Sequence, residues 1–207
     1  MRLGSAALTL IVAAVASGGL ALGIQSTRAS DSASAEADVE LGVEWAYRPD
    51  GLSDLVDHSS AIVMAEVEAI RPSDPWILDP SSSTSPEIPT SLVDIRVTES
   101  IDGETPPELT IHQVGGAGLF AEGDPAYAVG DRYLLFVRPR EGGPEPGAGD
   151  GTWLTVAPDG RLERAGGVLQ PEIAGEVADR LEGDTVPEAQ AEIAAADAAA
   201  PNPEGVE

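Results

Sequence analysis

Histidine is the residue type in this chain best suited to acid–base chemistry near neutral pH, and there are two, His58 and His112. A Ser–His–Asp hydrolase needs an imidazole that reaches a serine hydroxyl and is oriented by a carboxylate. Ser59 and Ser60 follow His58 directly, but no Gly-x-Ser-x-Gly motif presents a nucleophile. His112 falls on the polar face of an expected strand, where a solvated surface imidazole is the expected state. We therefore assign no catalytic residue, and a secreted hydrolase using His58 or His112 remains an alternative.

Metal and phosphate sites lack their usual ligands. The chain has no cysteine, which excludes disulfides, thiol catalysis and thiolate zinc sites, and no His-Glu-x-x-His motif. The Gly-Gly-Ala-Gly run at residues 115–118 is not followed by the Gly-Lys-Ser/Thr of a phosphate-binding loop. Some aspartates in glycine-rich segments resemble calcium ligands, but they match no EF-hand spacing and are typical of turns. These are Asp124, Asp131, Asp150 and Asp159. We expect no metal and no cofactor.

The charge balance restricts the partners. The formal net charge is −25, and the eleven basic residues are all arginine. Nucleic acid binding normally requires a basic surface that releases counterions from the phosphates. The composition therefore excludes nucleic acid as a partner.

Residues 1–29 have the organisation of a secretory signal peptide. Arg2 supplies a positive start, residues 3–27 carry no charge, and residues 8–16 form the densest apolar run. We therefore expect a secreted, extracytoplasmic protein with no stable membrane span after cleavage. The alternative is membrane anchoring by an uncleaved N-terminal segment, because the uncharged stretch is long enough to cross a bilayer.

The remaining chain divides into a folded middle and two acidic ends. Residues 30–42 and 184–207 are nearly free of large apolar side chains. Such segments bury too little surface to offset their ordering entropy, so we expect a disordered linker and a disordered Ala/Pro-rich tail. Residues 43–183 then form one domain.

Short apolar runs of period two, separated by glycine, proline and aspartate, predict strands throughout this domain. Residues 133–137 are apolar on both faces and predict the central strand. The turn at residues 157–160 has proline second and glycine fourth, which predicts a hairpin between its flanking strands. The expected strands are residues 61–70, 92–101, 108–112, 133–137, 153–156 and 161–164.

Two helical stretches are expected. Residues 51–60 predict one or two turns with Ser53 placed to cap them. Residues 171–181 predict a short helix that begins on proline and carries Ile173, Val177 and Leu181 on one side. The fold class is therefore all-β: a small five- to six-stranded OB-like barrel with one or two short helices, or alternatively an immunoglobulin-like sandwich.

A family resemblance supports the barrel. The helix is followed by strands at residues 61–67 and 93–97, an Asp-Gly-Glu turn at 102–104, and strands at 108–112 and 129–137. This order resembles the netrin-like, OB-type barrel of the tissue inhibitors of metalloproteinases and of related cysteine-poor domains in secreted bacterial proteins. Those inhibitors act through an N-terminal cysteine that chelates zinc, which no residue here matches. The resemblance, over roughly residues 52–157, therefore implies a fold and no functional residue.

Two long connections carry the remaining functional signal. Residues 72–89 and 115–131 should emerge at the same end of a sheet whose strands alternate in direction, and long loops are often functional. They contain the candidate binding residues Trp76, Phe120 and Tyr127. We expect a non-catalytic binding module of the cell exterior whose partner is a protein or cell-envelope component. Two alternatives remain: Trp76 and Phe120 plug the barrel mouth, or the chain is an acidic structural envelope protein.

Overall fold

The computed structural model describes residues 39–41, 47–77, 81, 85, 87–116, 119–121, 124–140 and 151–199. The expected signal peptide and residues 200–207 lie outside these ranges. In chain order the elements are β1 (Val39–Leu41), α1 (Leu52–Asp57), β2 (Ala61–Ile77), β3 (Glu87–Asp102), β4 (Glu108–Gly116), β5 (Leu119–Ala121), β6 (Arg132–Pro139), β7 (Thr152–Thr155), a 3-10 turn (Pro158–Gly160), β8 (Arg161–Ala165), β9 (Val168–Pro171), α2 (Glu176–Leu181) and α3 (Val186–Ala199).

Five of these strands form a closed ring through their pairings. β2 pairs with β3 and β6, β3 pairs with β4, and the short β7 joins β4 to β6. All these pairs are antiparallel except β4 with β7, which is parallel. β8 and β9 extend the sheet from β6, and β5 and β1 extend it from β4. The expectation of a mainly β domain with short helices is confirmed.

Alternate side chains of β2 and β6 belong to two separate core clusters. In β6, Leu134 and Phe136 pack with the helices, whereas Tyr133, Leu135 and Val137 pack with inward side chains of β3 and β4. Successive side chains of a strand point to opposite faces, so one cluster fills the ring and the other lies between its outer face and the helices. The prediction that residues 133–137 form a central strand is confirmed.

The hairpin predicted around residues 157–160 is wrong. The turn forms, but β7 and β8 do not pair with each other: both run antiparallel to β6, one after the other. β7 lies opposite Val137 to Pro139, and β8 lies opposite Tyr133 to Leu135. The turn is therefore an interruption in one long path along β6. The local sequence predicts the turn, but pairing with the apolar β6 determines which strand β7 and β8 each join.

The disordered tail predicted for residues 184–207 is wrong over α3. Its small apolar side chains recur every three or four residues and pack with α1 and α2. Burial against an existing core stabilises a helix that could not fold alone. The buried residues are Val186, Ala189, Ile193 and Ala196.

Three smaller expectations also need correction. Ser53 does not cap α1, since its hydroxyl donates to Ala196 O in α3 (3.0 Å). The helix expected at residues 171–181 begins later, at Glu176, because β9 extends to Pro171. In the linker expected at 30–42, β1 pairs in parallel with β5. No helix among the described residues has the length and apolarity to cross a membrane.

Within the connection expected at residues 72–89, most of the described residues belong to strands. β2 continues to Ile77 and β3 starts at Glu87, and the two pair as a long arm beyond the ring. β6 covers the outer edge of β2 only from Ala61 to Glu66. Farther along that strand are Pro72 and Pro75, which have no N–H to offer a further strand. The arm therefore limits edge-to-edge association.

Candidate functional site

A cleft of about 580 Å³ opens where the arm leaves the ring. Its walls come from the outer halves of β2 and β3, the end of β4, and the segment before β6. Because β3 and β4 are antiparallel, Thr90 near the start of β3 lies opposite Val114 near the end of β4. Both long connections therefore meet at one end, as expected. The lining includes Ile70, Pro72, Pro89, Ser91, Gln113 and Tyr127.

The cleft floor is fixed by side-chain to backbone hydrogen bonds. Ser91 Oγ donates to Gly115 O (2.9 Å), and Thr90 Oγ1 donates to Asp74 O in the arm (2.8 Å). Gly116 has φ +141°, and a Cβ there would lie 2.6 Å from Ser91 Oγ. Only glycine fits this corner, so the close approach of β4 to β3 requires it.

A buried arginine holds one wall from behind. Arg161 is 2% exposed, and its Nη1 lies 3.2 Å from Asp124 Oδ1 while Nη2 donates to Pro125 O. Nε lies 2.5 Å from Glu172 Oε2, as an ionic contact rather than a well-aligned hydrogen bond. The guanidinium carbon lies 4.1 Å from the ring centroid of Tyr127, within cation–π range. Arg161 therefore fixes residues 124–127.

Gln113 links the contacts of Arg161 to the cleft. Its Nε2 donates to the same two acceptors, Asp124 Oδ1 (3.1 Å) and Pro125 O (2.9 Å). The Tyr127 hydroxyl shares a hydrogen bond with Thr155 Oγ1 in β7 (3.0 Å). One cleft wall is thus tied to β4, β7 and β8 together, so it is pre-formed.

The groups around Arg161 keep its guanidinium charged despite burial. Burial works against the charge of Arg161, but the fields of Tyr127, Asp124 and Glu172 outweigh it and raise the pKa of Arg161. Burial raises the pKa of Asp124, and Arg161 and Gln113 only partly oppose this effect. The pKa of Glu172 is raised for the same reason, again against the pull of Arg161. A single permanent cation therefore serves two carboxyl groups that are costly to ionise.

The structure places two of the three candidate binding residues relative to the cleft. Tyr127 lines the cleft, but it is 4% exposed and packs edge-on against Tyr133, with ring centroids 5.2 Å apart. Trp76 is half-buried in the arm opposite Ile88 and is not among the cleft residues. Phe120 lies in β5, and its side chain is outside the described residues. Tyr127 therefore reaches the cleft as part of its wall, and Trp76 does not.

Exposed aliphatic side chains mark the same end of the molecule. Among the described residues, three large hydrophobic side chains are exposed: Ile70 (40%), Ile77 (38%) and Val129 (62%). Ile70 lines the cleft and Ile77 ends β2. Val129 lies beside β2, because the next residue, Gly130, donates its N–H to Val67 O (2.9 Å). Exposed apolar groups gathered in one place are typical of a binding surface.

The two charged side chains in the cleft lining differ in their ion pairing. Arg71, in the lining, makes two hydrogen bonds to Asp94, from Nε (2.9 Å) and Nη2 (3.1 Å). Glu87, also in the lining, has no ion pair within the described part of the chain. Available charge in the cleft is therefore negative.

The histidines make structural contacts. His58 stacks on Tyr47 (centroids 4.4 Å apart), and its Nδ1 lies 3.2 Å from Asp54 Oδ1. The hydroxyl of Ser59 donates to Leu55 O (2.7 Å). These contacts do not assemble a triad.

His112 is half-buried rather than solvated, contrary to expectation. Burial, with a smaller contribution from Arg140, lowers its pKa from 6.5 to about 4. The imidazole is therefore neutral at physiological pH.

No group of three or more metal-binding side chains converges within the described ranges.

No protein-family model matches the sequence of this chain, and no curated protein matches it.

Proposed function

We propose that this chain is an exported, non-catalytic binding module of the cell exterior, which holds a protein or cell-envelope component at the cleft. The proposal rests on the shared position of the exposed aliphatic side chains and the cleft. The described exposed aliphatic side chains, Ile70, Ile77 and Val129, lie at the end of the molecule where the cleft opens. Exposing them costs free energy that a partner would recover on binding.

We further propose that the ring is an OB-type barrel of the netrin-like kind. In chain order the five ring strands are β2, β3, β4, β6 and β7. Around the ring the order is β2, β3, β4, β7, β6, because the last of them, β7, lies between β4 and β6. A five-stranded Greek-key barrel of this kind presents loops at its ends for binding. This pattern supports the resemblance from topology rather than from any shared functional residue.

A binding role is favoured over hydrolysis because the two histidines, the groups best suited to catalysis, are held within the fold. His58 is held by Asp54 and Tyr47, and His112 is half-buried in β4. The cleft lining, by contrast, combines apolar side chains such as Ile70 and Pro89 with a few polar ones, as is typical of a recognition surface.

The test is a comparison of partner capture by two surface variants. Ile70→Ser removes an exposed aliphatic group from the cleft lining, and Glu108→Ser, the control, changes an exposed residue at the start of β4, outside the lining. We expect the wild-type protein and Glu108→Ser to retain one envelope or extracellular component that Ile70→Ser loses. Equal capture by all three would place the binding surface elsewhere. Capture of nothing by the wild type would favour the acidic structural protein.

A further inference from the structure

We infer that the cleft takes a basic protein segment carrying apolar side chains, which docks by its side chains and does not add a strand to the arm. This inference rests on the proposed function and names the partner chemistry for the same site. It follows from the hydrogen-bonding capacity of the arm, the state of its arginines and the shape of the apolar surface.

Strand addition is disfavoured at the arm. A peptide that extends a sheet relies on a continuous row of backbone N–H and C=O groups at the edge. Beyond Glu66, where the pairing with β6 ends, β2 contains Pro72 and Pro75, which lack the N–H. The other arm strand, β3, is already paired with β4 from Thr90 to Arg96. A partner must therefore use the cleft and its neighbouring side chains.

An anionic partner is disfavoured because the arginines here are already paired. Arg71 is bound to Asp94 through two hydrogen bonds. Arg96 lies 2.9 Å from Glu68 and 3.2 Å from Glu66. Arg132 also pairs with Glu66, at 3.0 Å. An incoming phosphate or carboxylate would have to displace a carboxylate of the protein.

A cationic partner finds an available carboxylate in the cleft itself. Glu87 lines the cleft opposite Ile77 of β2, is exposed, and has no ion pair within the described residues. Asp74 is exposed in the same arm, and its described contact is through its backbone oxygen, which accepts from Thr90. The protein's net charge of −25 attracts the same class of partner over a longer range.

The apolar surface extends beyond the cleft, which favours a protein segment over a small molecule. Ile70, Pro72 and Pro89 lie within the lining, whereas exposed Ile77 continues the apolar surface at the end of β2. The cleft volume of about 580 Å³ suits small ligands too, but a small ligand would leave Ile77 uncovered. Charge and apolar surface together therefore specify a basic segment with apolar side chains.

The test is an NMR titration of the ¹⁵N-labelled full chain with three synthetic peptides in 150 mM salt, where the Debye length is about 8 Å. One peptide alternates arginine and valine around a tryptophan. The second replaces its arginines by glutamate, and the third replaces its valines and tryptophan by glycine. We expect the first to shift the amide signals of Ile70, Ser91 and Gly116, and to bind at least about tenfold more tightly than the others.

Two matched variants localise the charge contribution. Glu87→Gln removes the cleft carboxylate, and Glu108→Gln makes the same change at the opposite end of β4. We expect Glu87→Gln to weaken the first peptide about threefold and Glu108→Gln to leave it unchanged, since one exposed ion pair contributes little.

Each contrary outcome has a separate meaning. Tighter binding of the glutamate peptide at the same amides would overturn the basic partner and leave the cleft as the binding site. Equal binding of the arginine–glycine peptide, with shifts spread over the surface, would reduce the effect to general charge attraction and overturn the inference. Shifts of the first peptide confined to another face would overturn the proposed function as well.

Discussion

The guanidinium carbon of Arg161 lies 4.1 Å from the centre of the Tyr127 ring, inside the ring of strands and behind the wall of the cleft. Arg161 is also within ionic distance of Asp124 and Glu172. The two carboxyl groups and the tyrosine ring stabilise the buried guanidinium, and the guanidinium in turn fixes the position of the cleft wall. The contact links the buried core to the surface proposed for binding.

Replacing Arg161 should strongly destabilise the fold. Arg161→Met keeps an extended apolar side chain but leaves Asp124 and Glu172 without their cation, which typically costs about 3–5 kcal/mol. We expect this loss in chemical denaturation near neutral pH. The control is Arg164→Met on the exposed side of the same strand, expected to change stability by less than about 0.5 kcal/mol.

The two carboxyl groups give a second check on the same cluster. Adding Asp124→Asn and Glu172→Gln to Arg161→Met removes the uncompensated acids, so we expect the triple variant to recover part of the lost stability. A triple variant no more stable than Arg161→Met would show that the arginine acts through packing alone.

The sequence predicts the strands better than their partners. Period-two runs locate β2, β3 and β4, and the apolar residues on both faces of β6 identify it as central. Turn chemistry at Pro158–Gly160 predicts a hairpin wrongly, because pairing depends on which edges are available in the assembled sheet. The alanines of α3 predict disorder wrongly, since their value lies in close packing against α1.

Replacing the glycine after β3 by alanine should lower the stability of the fold more than its backbone angle alone implies. Gly103 (φ +71°) and Gly166 (φ +62°) both adopt the left-handed conformation. A Cβ at Gly103 would lie 2.4 Å from Ser60 O, whereas nothing lies within 4 Å of one at Gly166. Gly166→Ala should cost about 1 kcal/mol from strain, and Gly103→Ala clearly more. Equal losses in thermal or chemical unfolding would rule out the backbone contact.

The last helix should contribute to stability. Ile193 is 3% exposed and packs in the cluster between the sheet and the helices. Ile193→Ala should therefore lower the free energy of unfolding by about 2–4 kcal/mol. Ending the chain after Ala199 should leave stability unchanged, because that cut preserves the whole of α3. A negligible effect of Ile193→Ala would return residues 186–199 to the status of a tail.

His112 should titrate far below a free histidine. Burial lowers its pKa from 6.5 to about 4, so the folded protein keeps it neutral where the unfolded chain binds a proton. Stability from this residue is thus complete above pH 6.5 and falls as the pH drops toward about 4. An NMR titration of the imidazole should show a midpoint near 4. His112→Asn should flatten stability across that range, and a midpoint near 6.5 would contradict the burial.

The candidate site was only partly visible in the sequence. The meeting of two connections at one end follows from strand alternation, and Tyr127 was among the residues expected there. The sequence does not predict Arg161 as a site residue, because it follows a turn and has the pattern of an exposed strand residue. Its inward direction becomes evident only when β8 is paired with β6, which places Arg161 opposite Leu135. Ile70 was missed because it lies on the strand before the connection.

Photo-crosslinking from single positions tests the proposed binding end most directly. A photoreactive phenylalanine analogue is introduced at Ile70 in the cleft, and separately at Glu108, which is exposed at the far end of β4. The protein is then irradiated in its native extracellular setting. We expect a discrete crosslinked product from position 70 and none from position 108. Products from position 108 alone, or the same products from both, would contradict a binding surface at the cleft.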